Sequence, residues 1–228
     1  MLYKSLVIGN GEVGGSLFNV LRTCHNTKIK DKEDLEGRFD ILHICFPYFK
    51  GFKREVAKYK ELYNPKYTII HSTVPIGTSR YCKAYHSPVR GIHPQLEKGL
   101  KTFVKYLAPS NRRLKEYFEK AGIKIKMLRK PETTEALKIW STTQYGILIM
   151  LEKEIFGFCQ KNNLDFNKIY IDANRTYNEG YKELGREEVV RPILRHIDGR
   201  ISGHCIMQNL EFLDHWLIKL LKKRNETY

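Results

Sequence analysis

The residues best suited to covalent chemistry lie near the end of the chain, in Gly199-Arg200-Ile201-Ser202-Gly203-His204-Cys205-Ile206. A cysteine beside a histidine, with a glycine just before, presents a thiol on a backbone turn. A thiol attacks as its thiolate, and a neighbouring cation lowers its free pKa of about 8.5 toward neutrality. At the other end, Leu6-Val7-Ile8-Gly9-Asn10-Gly11-Glu12-Val13-Gly14-Gly15 sets a Gly-x-Gly-x-x-Gly pattern between an apolar run and a helical one. The first glycine permits a tight turn, the second lets backbone approach a pyrophosphate, and the third lets helix and strand pack closely. The helix N-terminus then faces the phosphates. Gly9, Asn10, Gly11, Glu12, Val13 and Gly14 are therefore candidate cofactor contacts; the alternative is a glycine turn that binds nothing. Asp31 follows Gly11 by 20 residues, where a ribose-binding acid belongs. It favours NAD, whereas Lys30 and Lys32 beside it would suit the 2′-phosphate of NADP.

The elements that must position these groups follow from hydrophobic spacing. Residues 3–8, 27–31, 40–46 and 67–71 read as strands, the third closed by Pro47. Residues 16–21, 52–63 and 112–121 read as helices, and 89–92 and 123–127 as later strands. This alternation predicts an α/β fold of Rossmann type, a doubly wound parallel sheet with crossover helices. After Pro131 the pattern changes. A long helix is expected over 132–162 with an apolar stripe of Ala136, Leu137, Trp140, Tyr145, Leu148, Leu151 and Ile155. A further helix is expected over 166–184, an extended piece at 191–194 and a terminal helix over 209–223. The expected division is a nucleotide-binding domain over 1–130 and a small all-helical domain over 131–228.

Composition narrows the function classes. With 228 residues, 42% hydrophobic and 12% aromatic, the chain can bury a core and is not a disordered segment. Its apolar runs are too short for a membrane span, and residues 1–5 show no signal-peptide pattern, so cytoplasmic residence is the expectation. Five cysteines (Cys24, Cys45, Cys82, Cys159, Cys205) lack paired spacing, which argues against both a disulfide framework and a zinc knuckle. No metal site is expected; His71, His86 and His93 lack ligand spacing. The net charge of +15 comes from scattered Lys and Arg with no nucleic-acid module, so anionic small molecules are the expected partners.

Three further segments stand in order with the glycine loop: His71-Ser72-Thr73-Val74-Pro75-Ile76-Gly77-Thr78, Glu132-Thr133-Thr134-Glu135-Ala136-Leu137-Lys138, and Gly203-His204-Cys205-Ile206. Across nearly the whole chain this set resembles the UDP-glucose/GDP-mannose dehydrogenases, relatives of 6-phosphogluconate dehydrogenase. The resemblance implies oxidation of a sugar alcohol with NAD as hydride acceptor. It makes Cys205 the nucleophile that traps an aldehyde, Lys138 the cation that steadies the oxyanion, and Thr73 a neighbour of the nicotinamide. Pro47, Ser72 and Thr73 join the cofactor set. It also implies a homodimer built on the long helix.

Departures from the family pattern limit what carries over. Thr142 stands where the family has an asparagine four residues after the lysine. Asn209 replaces an aspartate four residues after the cysteine, and Val89 a glutamate. All three touch the hydrolytic half of the family reaction, so a two-electron oxidation is expected rather than the full four-electron one. A truncated form without the family's nucleotide-sugar-binding third domain is also expected. His86, Arg90, His93, Arg191 and His204 are candidate substrate contacts, as is the polar and aromatic stretch 174–181. The expected partner is a sugar or nucleotide-sugar substrate. The second reading is a dinucleotide-binding protein without turnover, acting as a sensor or partner subunit; a third supplies the missing domain from another chain.

Overall fold

The computed structural model describes residues 3–33, 35–91, 94–202 and 206–228. By internal contacts the chain forms two compact units, Met1–Ile139 and Trp140–Tyr228.

The first unit carries five parallel strands: β1 (Lys4–Ile8), β2 (Asn26–Lys30), β3 (Ile41–Ile44), β4 (Tyr67–Ile70) and β5 (Tyr85–His86), in the order β2-β1-β3-β4-β5. The order reverses direction between β1 and β3, the switch point at which ligands bind in doubly wound sheets. Register makes this concrete. Ile8 pairs with Lys30 and Ile44, Ile44 with Ile70, and Ile70 with His86. The segments starting at Gly9, Asp31, Cys45, His71 and Ser87 therefore all leave one edge of the sheet.

Alternation along the strands divides the core. Leu6, Ile8, Leu42, Ile44 and Ile70 face α2 (Phe52–Tyr63), which contributes Phe52, Val56, Tyr59 and Tyr63. Ile41 and Ile69 face α1 (Glu12–Leu21) and α5 (Arg112–Lys120), through Leu17, Val20, Leu21, Leu114, Tyr117 and Phe118. Each fully buried aliphatic or aromatic side chain contributes about 1.5–3 kcal/mol. The short α3 (Thr78–Tyr81) and α4 (Leu96–Thr102) precede a small parallel pair, β6 (Lys105–Leu107) and β7 (Ile125–Met127). Then α6 (Pro131–Lys161) begins with a proline at its first position, where the missing N–H costs nothing.

The second unit holds the rest of α6, α7 (Ala173–Glu183) and α8 (Trp216–Asn225), and its core cluster is Ile201, Ile206, Leu210, Ile218 and Leu221, packed by Ile147, Ile149 and Met150 of α6. Gly146 admits α8 closely, since a Cβ there would lie 2.7 Å from Leu221 Cδ2.

Several expectations need correction. The first helix starts at Glu12 rather than residue 16, because the glycine turn already opens into it. The run 89–92 is not a strand over its described residues. Val89 instead fills the core, and the fifth strand is the two-residue β5. The stretch 166–184 is a π-helical turn, Asn167–Asp172, followed by α7. The terminal helix is broken into a 3-10 turn, Met207–Phe212, and α8. His215 caps α8 by accepting from Leu217 N.

A polar seam crosses the α5 face of the sheet. His71 Nδ1 lies 2.8 Å from Ser87 O, His43 Nδ1 2.9 Å from His71 Nε2, and Tyr117 Oη 2.9 Å from His43 Nε2. The carbonyl can only accept, so His71 donates from Nδ1 and, as a neutral ring, accepts from His43 at Nε2, while Tyr117 Oη also reaches Ser5 Oγ at 3.0 Å. Both rings are neutral. Burial holds His43 down at about 3, and His71 is also held well below its usual value. Lys105 belongs to the same seam; burial lowers its ammonium to about 7.

Two outcomes follow. Gly14→Ala places a Cβ 1.8 Å from Gly9 O, whereas at Gly11 a Cβ meets nothing within 4 Å. Chemical denaturation is expected to show a loss of about 3 kcal/mol or more for Gly14→Ala, and a change within about 1 kcal/mol for Gly11→Ala. The second concerns pH. Between pH 7 and the usual lysine value the unfolded chain holds a proton that folded Lys105 has released, so stability rises with pH, by about 1.4 kcal/mol per unit for one proton. The half-buried Cys45 thiol, pushed up by desolvation to about 12, opposes this only above about pH 8.5. Denaturation at a series of pH values is expected to give a rising limb between about pH 7 and 8.5 that Lys105→Met flattens.

Candidate functional site

The glycine loop is built without side chains where it matters. Gly9 has φ +103°, and a Cβ on it would lie 3.0 Å from Phe46 N. Gly9 N donates to Lys30 O at 2.9 Å, which ties the loop to the end of β2. Gly14 is buried against Gly9, and Gly11 caps α1 with no side chain accepting from its first turn. Asn10, Gly11 and Glu12 are exposed and Val13 is half-buried. The N-terminus of α1 and the open space at Gly11 fit a phosphate held by backbone. Asp31 is exposed just past β2. Lys30, an alternative cation for a 2′-phosphate, is buried instead, its Nζ donating to Lys32 O and Glu33 O at 3.3 and 3.1 Å. Lys32 is exposed.

A chain of contacts runs from this loop to α6. Beside Gly9, Phe46 and the exposed Pro47 leave β3. Ser72 Oγ donates to Phe46 O at 2.5 Å and Thr73 follows, half-buried. His86 Nε2 donates to Ser72 O at 3.2 Å, and its Nδ1 lies 2.7 Å from Thr134 Oγ1. His86 is fully enclosed, and burial holds it down at about 3. The loop-like sequence around it suggests a substrate contact; the structure makes it a neutral pin between the Ser72 loop and α6. Glu135 supplies a second pin, accepting from Gly77 N at 2.6 Å and Ser79 N at 2.8 Å. Burial raises its carboxyl above the usual value despite those bonds. Arg80 pairs with Glu132 at 2.5 Å.

Lys138, half-buried on α6, donates to Val89 O at 3.0 Å. Val89 is a core residue, so the place of the expected glutamate holds no ionisable group. Arg90 is half-buried, its guanidinium 5.9 Å from the ring centres of both Phe103 and Tyr106. Thus Gly9–Gly14, Asp31, Pro47, Ser72, Thr73 and the Val89–Arg90 segment share the carboxyl edge of one sheet, with Lys138 bonded to that segment. His93, His204 and Cys205 lie outside the described residues.

In the second unit, Asn209 Nδ2 lies 3.5 Å from Thr142 Oγ1, at the limit of a hydrogen bond, and Asn209 is buried. The pair carries no ionisable base. Arg191 is exposed and fixed by backbone: Asn178 donates to Arg191 O and accepts from Arg191 N, both at 2.8 Å. Its guanidinium stacks 3.5 Å over Tyr177, which lies 4.6 Å from Tyr181. The sequence marks 174–181 as polar and aromatic but not that Asn178 seats Arg191. Two other features are missing from the sequence reading. Glu135 appears there only as part of a motif, and Lys105 not at all, although a lone cation in Phe103-Val104-Lys105-Tyr106-Leu107 marks the spot.

No group of His, Cys, Asp and Glu that could hold a metal occurs among the described residues, and no helix there is long and apolar enough to cross a membrane.

No protein-family model and no curated protein matches the sequence. Solved structures do match. A UDP-D-ManNAc dehydrogenase from Pyrococcus horikoshii superposes with a TM-score of 0.73 at 17% identity, over 97% of this chain and 68% of that one. A UDP-glucose dehydrogenase from the hyperthermophilic archaeon Pyrobaculum islandicum matches with TM-score 0.68 at 10% identity, over 100% of this chain and 68% of that one. A 3-hydroxyisobutyrate dehydrogenase from Mycobacterium tuberculosis, solved with L-serine, gives 0.71 at 13% identity, over 98% and 92%. The chain therefore has the Rossmann-type dehydrogenase fold of the UDP-sugar dehydrogenases, over about two thirds of their length.

Proposed function

We propose that the chain is a dinucleotide-dependent dehydrogenase that oxidises an alcohol of a sugar-like, anionic substrate. The observation that carries this reading is the N-terminus of α1 at the switch point, where the N-cap is a glycine with open space beside it and Gly9 and Gly14 are in obligatory backbone contact. A pyrophosphate suits that end. Asp31, with Lys30 turned under the loop, suits a ribose diol, which favours NAD. The cofactor supplies the hydride acceptor, and Pro47, Ser72 and Thr73 flank where its reactive ring would lie. Lys138 holds a proton or positive charge near the substrate oxygen, and Cys205 is the candidate thiol for an aldehyde. His86 and Glu135 keep the Ser72–Ser79 loop fixed to α6, so that Lys138 and Thr73 are held relative to one another.

The neutral Thr142–Asn209 pair and the core position of Val89 support a two-electron oxidation over a route that needs a base for hydrolysis. They also favour the second reading, a dinucleotide-binding protein without turnover. We further assign a homodimer. The second unit exposes Leu151, Phe158, Leu164 and Ile169, and a groove of about 720 Å³ there is lined by Phe156, Leu164, Phe166 and Ile193 together with the polar Gln160, Asp165, Asn167, Arg195 and His196. Exposed apolar side chains such as these suit a second copy.

The test is nicotinamide absorbance with NAD or NADP and a panel of UDP- and GDP-sugars, sugar phosphates and hydroxy acids. One substrate class is expected to reduce NAD, with kcat falling about 10²–10³-fold in Lys138→Met and turnover depending on Cys205. Dinucleotide binding without turnover on any member would support the second reading; no dinucleotide binding would remove both.

A further inference from the structure

Of the five residues of β2 only Lys30 is buried, to 3% exposure. Register sets it beside Ile8, whose core cluster is shared with α2, and its Nζ lies 5.4 Å from the ring centre of Tyr59 on that helix. A core-facing position ordinarily takes an apolar side chain, because an ammonium enters a core at a cost in desolvation unless its donors are bonded. Lys30 bonds them to its own segment: Nζ donates to Lys32 O at 3.3 Å and to Glu33 O at 3.1 Å. At its other end, Lys30 O accepts from Gly9 N at 2.9 Å. Asp31 is therefore bracketed. The carbonyl before it is tied to the glycine turn, and two carbonyls after it are tied to the amine of the residue before it. Asp31, Lys32 and Glu33 are exposed, and Leu35 N donates to Tyr63 Oη at 3.2 Å, which returns the segment to α2.

We propose that Lys30 is a positioning residue for cofactor choice: by holding the carbonyls of Lys32 and Glu33 it keeps Asp31 in place beside the glycine turn, where an acid selects an unphosphorylated ribose. The inference deepens the reading of the chain as dinucleotide-binding and rests on it. A carboxylate accepts hydrogen bonds from a ribose diol and repels a 2′-phosphate. Rejection of this kind needs an acid that cannot move aside. With the carbonyls released, the segment could swing Asp31 away and turn the exposed Lys32 toward a phosphate. The amine of Lys30 is engaged with its two carbonyls under the segment, so its contribution is to hold Asp31 and not to bind the phosphate itself.

The experiment is titration of NADH and NADPH, followed by nicotinamide fluorescence, into the full chain, Lys30→Met, Asp31→Ala and the double variant, with circular dichroism checking folding. The wild type is expected to prefer NADH. In Lys30→Met the NADPH-to-NADH ratio of dissociation constants is expected to fall about tenfold, mainly through weaker NADH binding. Asp31→Ala is expected to lose the preference, and Lys30→Met to add nothing to that loss, because Lys30 acts through Asp31. Lys30→Leu, also without a donor, serves where Met is not tolerated and is expected to give the same fall. A selective loss of NADPH binding in Lys30→Met would make Lys30 a phosphate ligand, and equal weakening of both dinucleotides would make its role structural only. Either result overturns the proposal, as does an unchanged ratio or a wild-type preference for NADPH. Binding of neither dinucleotide by the wild type would remove the dinucleotide reading and this inference with it, whereas wild-type binding with an unchanged ratio in the variant removes this inference alone.

Discussion

The rest of the site depends on one close approach of backbone to backbone, Gly14 of α1 against the carbonyl of Gly9. There is no room for a β-carbon at that contact. Because the helix can lie so near the end of β1, its N-terminus opens at the sheet edge where β1 and β3 diverge. Register then brings the ends of the other strands to the same level, and every loop of the candidate site leaves from there. At Gly11 a β-carbon would meet nothing within 4 Å, which leaves open space at that end of α1.

What links this edge to α6 is a set of polar groups kept neutral or turned inward by burial. His86 joins the Ser72 carbonyl to Thr134, and Glu135 caps the short helix after the Thr73 loop. Lys105 and Lys138 hold the Ser87–Val89 segment between them. Charged partners are scarce in this layer, so its geometry rests on carbonyls and backbone N–H groups, whose positions are set by the sheet. A layer arranged this way keeps its shape over a wide pH range, because burial holds His43 and His86 down at about 3.

Much of this was legible in the sequence, for physical reasons. The glycine spacing declares a steric requirement, and the structure shows it. Helix α2 appears over the residues that its apolar spacing indicates, because Phe52, Val56, Tyr59 and Tyr63 fall on one face. Less was legible where tertiary context decides. Val89 and Ile92 suggest a strand, yet pairing with β4 ends after two residues and Val89 turns into the core. His86 reads as a loop histidine because nothing local shows that Thr134, 48 residues on, will meet it. The π-turn before α7 and the break before α8 lie in stretches whose spacing is continuous enough to pass for single helices. Asn178 and Arg191 pair across 13 residues, which neither period nor composition can indicate.

The most direct test of this account is a calorimetric titration of NADH and NADPH into the full chain and into Gly11→Val, with folding checked for both. The account predicts saturable binding of one dinucleotide per chain, with a dissociation constant on the order of 1 µM to 1 mM. It also predicts that NADH is preferred and that Gly11→Val loses the binding while keeping its fold. Absence of binding by either dinucleotide, or equal binding by the Gly11 variant, would contradict it.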